Sequence, residues 1–161
     1  MLTRITPAAL PTGRMALPQP WTTRGRPAFA VQAGAGPGAA GPRVLIVDDE
    51  WLISVQLEQM LTAAGFDVVG TAADAAGAIT LAGRERPDLV LMDIRLAGPV
   101  DGIEAAREIL DRFGIRSLFV SAHSDQATVA RSRAAQPAGW LPKPFTEAEL
   151  LQGVRAALAL P

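Results

Sequence analysis

The sequence predicts an α/β fold, a parallel sheet of five strands covered by helices on both faces. Three observations carry this prediction. Five short apolar runs, starting near Val44, Phe66, Leu89, Arg116 and Gly139, alternate with segments of helical period. The connections between them are long enough for helical crossovers, whose right-handed sense places helices on both sides of a sheet. Four of the runs end in polar groups: Asp48-Asp49-Glu50, Asp93, Ser121 and Lys143. In open parallel sheets, ligands bind outside the carboxyl ends of the strands, which is where these residues fall.

The elements follow in order. Val44–Val47 reads as the first strand, and a helix from about Glu50 to Ala64 carries Leu52, Val55, Leu57, Met60 and Leu61 near helical spacing. Gly65 stops it. Phe66–Thr71 is the second strand, and Asp74 can cap a helix that ends near Arg84. After Pro87 comes the third strand, Leu89–Met92, then a helix over about Gly102–Phe113 with Ile103, Ala106, Ile109 and Leu110 along one face. Arg116–Val120 is the fourth strand, and Asp125 caps a helix lasting to about Ala134. Gly139–Leu141 is the fifth strand. Thr146-Glu147-Ala148-Glu149 has the spacing of a capping box that opens the last helix.

Residues 1–42 differ in character. They hold seven of the 13 prolines and six of the 15 glycines, with no sustained period, and read as a disordered tail. Their arginines and lack of acids superficially suggest a transit peptide, but the prolines would break an amphipathic helix. The alternative is that part of this segment is an upstream extension, with Met15 or a later codon as the start. Residues 43–161 then form the folded domain.

Composition excludes several function classes. The absence of cysteine excludes disulfides, thiolate metal sites and a cysteine nucleophile, and fits a reducing, cytoplasmic setting. A single histidine, His123, makes a histidine-based zinc site implausible. No apolar stretch is long enough to span a bilayer, so no membrane insertion is expected. The net charge of −1 conceals an asymmetry, because the first 42 residues carry four arginines and no acid. The remaining 11 basic residues face all 16 acids, and an acidic domain without a basic stripe is a poor nucleic-acid binder.

The strand-end groups suggest phosphoryl chemistry. Crowded carboxylates repel one another unless a hard cation sits among them, and all-oxygen ligation favours Mg²⁺ over zinc. A carboxylate that attacks a phosphoryl group brings anion to anion, so positive charge must come from a metal and from Lys143. Pro142 and Pro144 restrict the backbone on either side of that lysine. Simpler readings exist for each residue. Asp48-Asp49-Glu50 could cap the first helix, Asp93 could be a turn residue, Lys143 a solvated charge and Ser121 a strand-end hydroxyl. Trp140 reads as core or as a moving ring, Trp51 as packed or half exposed beside the site, and His123 as an exposed loop residue.

Taken together, Val47-Asp48-Asp49-Glu50, Leu91-Met92-Asp93, Val120-Ser121-Ala122 and Leu141-Pro142-Lys143-Pro144-Phe145 resemble the receiver domain of two-component response regulators. The resemblance spans about Arg43 to Leu160. It implies a flavodoxin-like fold with strand order 2-1-3-4-5 flanked by five helices, and a phosphoaspartate at Asp93. It implies a Mg²⁺ site with Asp49, Asp93 and the Arg95 backbone carbonyl as ligands and Asp48 acting through water. Lys143 and Ser121 would contact the phosphoryl group, and Ser121 and Trp140 would act as the switch. Arg95 and His123 fall at positions that influence phosphoryl lifetime in the family. The implied partners are a histidine kinase or histidine phosphotransfer protein and a downstream protein target.

The loop from Ile94 to Val100 is one residue longer than the common receiver loop, with Ala97-Gly98-Pro99 where Met-Pro is usual. The sequence ends just after the last helix, so the expectation is a single-domain response regulator, not an enzyme. Its output would be a protein contact through helix four, strand five and helix five, or onward relay of the phosphoryl group. One rival is a phosphorylation-independent binding module. Another is a Mg²⁺-dependent aspartyl-phosphate phosphohydrolase, which would want a second acid where Arg95 stands. Dinucleotide binding is disfavoured, because acids occupy the turn where a phosphate-cradling glycine loop belongs.

Overall fold

The computed structural model of the chain describes residues 41–122 and 125–160. Residues 1–40 of the expected tail, and His123, lie outside the described residues. Five strands, β1 (Arg43–Val47), β2 (Asp67–Ala72), β3 (Leu89–Asp93), β4 (Ser117–Ser121) and β5 (Gly139–Pro142), form one parallel sheet in the order β2-β1-β3-β4-β5. They alternate with α1 (Trp51–Ala63), α2 (Ala75–Glu85), α3 (Gly102–Phe113), α4 (Gln126–Ser132) and α5 (Glu147–Ala157). The predicted α/β class, strand order and five helices are all observed. Strand pairing reaches one residue before β1, where the Asp67 amide donates to the Pro42 carbonyl at 3.0 Å.

Side-chain alternation along the strands builds two cores, as a sheet buried on both faces requires. Val44, Ile46, Leu89, Leu91, Leu118 and Val120 point to the face covered by α1 and α5, where Leu57, Leu61, Leu150 and Val154 meet them. Leu45, Val47, Val90, Met92 and Phe119 point to the other face, against α2 and α3. The cover on that second face mixes small residues, including Ala78, Ala82, Ala105 and Ala106, with Ile103 and Ile109 of α3. A fully buried leucine such as Leu61 contributes roughly 1.5–3 kcal/mol of transfer free energy.

The predicted helix caps form: Asp74 and Asp125 each accept an amide hydrogen bond at a helix start, and Thr146 with Glu149 forms the capping box. Asp101, not foreseen as a cap, does the same for α3. The fourth helix is shorter than expected: α4 ends at Ser132, and a 3₁₀ turn over Arg133–Ala135 carries the chain on.

Two readings of α1 are corrected. Leu52 is 72% exposed, because it sits off the face defined by Ile53, Ser54, Leu57 and Leu61. Ser54 takes the buried place, its hydroxyl donating to the Asp48 carbonyl at 3.3 Å. Trp51, expected packed or half exposed, is 73% exposed.

Candidate functional site

Strand register assembles the site. Val47 pairs with Met92, so Asp48 and Asp93 leave adjacent strands side by side. Asp93 pairs with Val120 in β4, and Ser121 pairs with Pro142 in β5, which puts Lys143 one step beyond. Residues far apart in sequence thus meet at one edge of the sheet, at the point where strand order reverses.

Lys143 is the hub. Its Nζ donates to Asp93 Oδ2 at 2.7 Å and to Asp48 Oδ2 at 2.8 Å. The lysine side chain is only 15% exposed. Burial alone would push its pKa down, but the hydrogen bonds and charges of Asp48 and Asp93 outweigh burial and hold it above the ordinary lysine range. Its amide donates to the Ser121 carbonyl at 2.9 Å, which fixes the start of the Lys143 loop to the end of β4.

The acids are positioned by backbone. Asp48 Oδ1 accepts from the Glu50 amide at 2.9 Å, and Asp93 Oδ1 accepts from the Arg95 amide at 3.1 Å. Asp48 and Asp93 are buried, whereas Asp49 is exposed at the open side of the group. The helix-cap reading of the first acid run does not hold. Glu50 occupies the α1 N-cap without a side-chain cap bond, and Asp48 and Asp49 turn toward Asp93 instead.

A carboxylate oxygen from each of Asp48, Asp49 and Asp93 lies within 4.8 Å of the others. The donors are all hard oxygens, with no sulfur or imidazole among them. This set suits a hard divalent cation such as Mg²⁺. Of the other sequence candidates, Arg95 comes to the site through its amide, and Ser121 is buried at the end of β4. Trp140 stands half-buried one strand away, its ring 5.1 Å from that of Phe119 at 41°.

Three features escaped the sequence reading. A Cβ on Gly102 would fall 1.8 Å from the Asp93 carbonyl oxygen, so α3 begins in contact with the backbone of the site. The lengthened loop doubles back through Gly98, at φ +100°, and Ala97 forms a parallel bridge with Asp74 at the start of α2. Arg131 of α4 forms an ion pair with Asp101 at the start of α3. The Asp101-Gly102 pair was the available signal for the first. The other two join distant segments and leave no local pattern.

A doubly wound parallel sheet with a lysine-bridged acid pair at its switch point defines a class of α/β domains built for charged ligands. A family model described as the response regulator receiver domain matches residues 44–155, and the chain belongs to that family. It is 38% identical over 122 residues to the transcriptional regulatory protein PdtaR of Mycobacterium tuberculosis, covering 75% of this chain and 59% of PdtaR. It is 31% identical over 116 residues to the phyllosphere-induced regulator PhyR of Methylorubrum extorquens, covering 71% and 43%. The chain thus spans about half the length of these curated relatives.

Among solved structures, the receiver domain of the response regulator NarL from M. tuberculosis superposes with a TM-score of 0.70 at 30% identity. That match covers 75% of this chain and 98% of that one. The Borrelia burgdorferi CheX–CheY–BeF₃–Mg²⁺ complex gives a TM-score of 0.67 at 30% identity, over 71% and 87%. Receiver domains are signalling modules phosphorylated by histidine kinases or phosphotransfer proteins, and they bind Mg²⁺ at an acidic pocket. Among the described residues, no helix is long and apolar enough to cross a membrane.

Proposed function

We propose that the chain is a phosphoacceptor signalling protein in which Asp93 receives a phosphoryl group from a histidine kinase or histidine phosphotransfer protein. The observation that carries this reading is the bridge from Lys143 to both Asp48 and Asp93 beside the exposed Asp49. An Asp93 carboxylate oxygen attacks phosphorus, the bond from phosphorus to the donor's leaving group breaks, and an acyl phosphate forms. Lys143 offsets the negative charge gathering on the phosphoryl oxygens, and the Ser121 hydroxyl hydrogen-bonds one of them. Asp48, Asp49, Asp93 and the Arg95 carbonyl would hold Mg²⁺, which when bound supplies further charge neutralisation for the same oxygens.

In this reading the signal leaves through a changed α4-β5-α5 surface, with Ser121 and Trp140 as the moving groups, or the phosphoryl group passes onward. In the same reading, residues 43–161 are the domain that carries the function. The test is intact-protein mass after incubation with acetyl phosphate and Mg²⁺. The wild-type chain is expected to gain one phosphoryl group only when Mg²⁺ is present, and Asp93→Asn is expected to gain none. Equal labelling of the variant would overturn the assignment of Asp93.

Exposed Trp51 and Leu52 open α1 directly after Asp49 and Glu50, an apolar pair at the rim of an acidic site. We read it as the contact for the protein phosphodonor, because large exposed apolar side chains mark interaction surfaces. The double variant Trp51→Ala, Leu52→Ala is expected to lower the ratio of transfer from a labelled histidine phosphotransfer protein to labelling by acetyl phosphate about tenfold. An unchanged ratio would place the donor contact elsewhere.

A further inference from the structure

The helix α4 is thinly held. It has seven residues and buries one of them, Ser132, fewer than any other α-helix described. A helix this short has little stability of its own. Its cap is internal, with Asp125 accepting from the Thr128 amide at 3.0 Å and from the Thr128 hydroxyl at 2.7 Å. Between α4 and the loop that follows Asp93 lies an open cleft of about 460 Å³, lined by Leu96 and Pro99 on one wall and Asp125 and Thr128 on the other.

The ion pair from Arg131 to Asp101 spans this cleft. Asp101 is a fixed anchor, since its Oδ1 accepts from the Ile103 amide at 3.1 Å and the Glu104 amide at 3.0 Å. The next residue, Gly102, donates its amide to the Ile94 carbonyl at 2.9 Å and lies against the Asp93 carbonyl. Arg131 is therefore joined to the phosphoacceptor segment through one capping residue. In this arrangement both Asp93 oxygens are engaged as a free carboxylate, one by Lys143 and one by the Arg95 amide.

We infer that the Arg131–Asp101 pair is a latch that holds α4 in the position seen here and so opposes conversion to the phosphoryl-bound arrangement. The inference rests on the proposed function, in which the α4 surface changes when Asp93 is occupied. A contact made in one of two conformations biases the equilibrium toward it, and a ligand of the other conformation must overcome that bias. Releasing the latch therefore tightens binding of a phosphoryl mimic. The effect is modest, because Arg131 is 55% exposed and Asp101 31%, where water and salt weaken the attraction.

The test is calorimetric titration of the full chain with beryllofluoride in saturating Mg²⁺. Asp101→Asn keeps an oxygen for the α3 cap while removing the charge, and Arg131→Ala removes the guanidinium. Each is expected to bind the mimic about two- to fourfold more tightly than wild type, the double variant no tighter than either single. The gain should shrink at high salt, and Arg131→Lys should behave nearly as wild type. Wild-type binding with unchanged or weakened binding by both single variants, or additive effects in the double, overturns the latch and leaves the phosphoacceptor reading standing. No binding by the wild-type chain overturns both.

Discussion

Lys143→Met is expected to lower the stability of the chain by about 3 kcal/mol in the absence of divalent cations, as urea denaturation would read it. Lys143 donates to two buried carboxylates at 2.7 and 2.8 Å, and removing it leaves Asp48 and Asp93 charged and close with nothing between them. Breaking a buried pair by deleting one partner costs about 3–5 kcal/mol. The lower end applies, because Asp49 is exposed and Lys143 keeps some contact with water. The apolar stem of methionine preserves packing, so the loss reports charge. Mg²⁺ is expected to restore much of it, since the cation would satisfy the same acids. An unchanged midpoint without Mg²⁺ would mean that the lysine does not hold the acids together.

The pH dependence has a definite sign. The folded-state pKa of Lys143 lies above lysine's ordinary 10.5, so the stabilisation is fully present below that value and is lost as pH rises through the higher folded value. The window is unusually clean, because Lys143 is the chain's single lysine and the chain has no tyrosine. Wild type should therefore lose stability above about pH 10.5, and Lys143→Met should lack that component.

The sheet and most of the site were legible in the sequence for one physical reason. A strand buried on both faces is a continuous apolar run, so an ionisable residue at its end has to lie at the sheet edge. Asp48, Asp93 and Ser121 announce themselves in this way, and Lys143 follows the shorter, half-buried run of the edge strand β5. What the sequence hid depends on contacts between elements. The exposure of Leu52 followed from the angular position of Ser54, a polar residue buried because its hydroxyl finds the Asp48 carbonyl. The Arg131–Asp101 pair and the Asp74–Ala97 bridge join residues that share no period or motif. Gly102 was visible as the start of a helix, but the cap at Asp101 and the closeness of Gly102 to Asp93 are three-dimensional facts.

That closeness makes Gly102→Ala the most informative steric substitution in the chain. On helix propensity alone alanine should be better than glycine by up to about 1 kcal/mol. Sterics act against it far more strongly. The new Cβ would lie 1.8 Å from the Asp93 carbonyl oxygen, 2.9 Å from its carbon and 3.0 Å from the Ile94 Cα, all backbone atoms that cannot rotate away. Relief requires α3 to retreat from β3, which lengthens the 2.9 Å bond from the Gly102 amide to the Ile94 carbonyl and disturbs the cap at Asp101. Overpacking of this kind costs about 1–3 kcal/mol, and a clash with backbone belongs at or above the top of that range. The net expectation is a loss of about 2 kcal/mol or more, with a larger proportional loss of acetyl phosphate labelling, because the displaced segment carries Asp93 itself. Gly83→Ala serves as the control. There the near atom, at 2.9 Å, belongs to the ring edge of Phe113, far from the acids. It should cost stability without a matching loss of labelling per folded molecule. Equal losses in the two variants would show that Gly102 matters only for stability, whereas selective loss at Gly102 would tie the start of α3 to the placement of the phosphoacceptor.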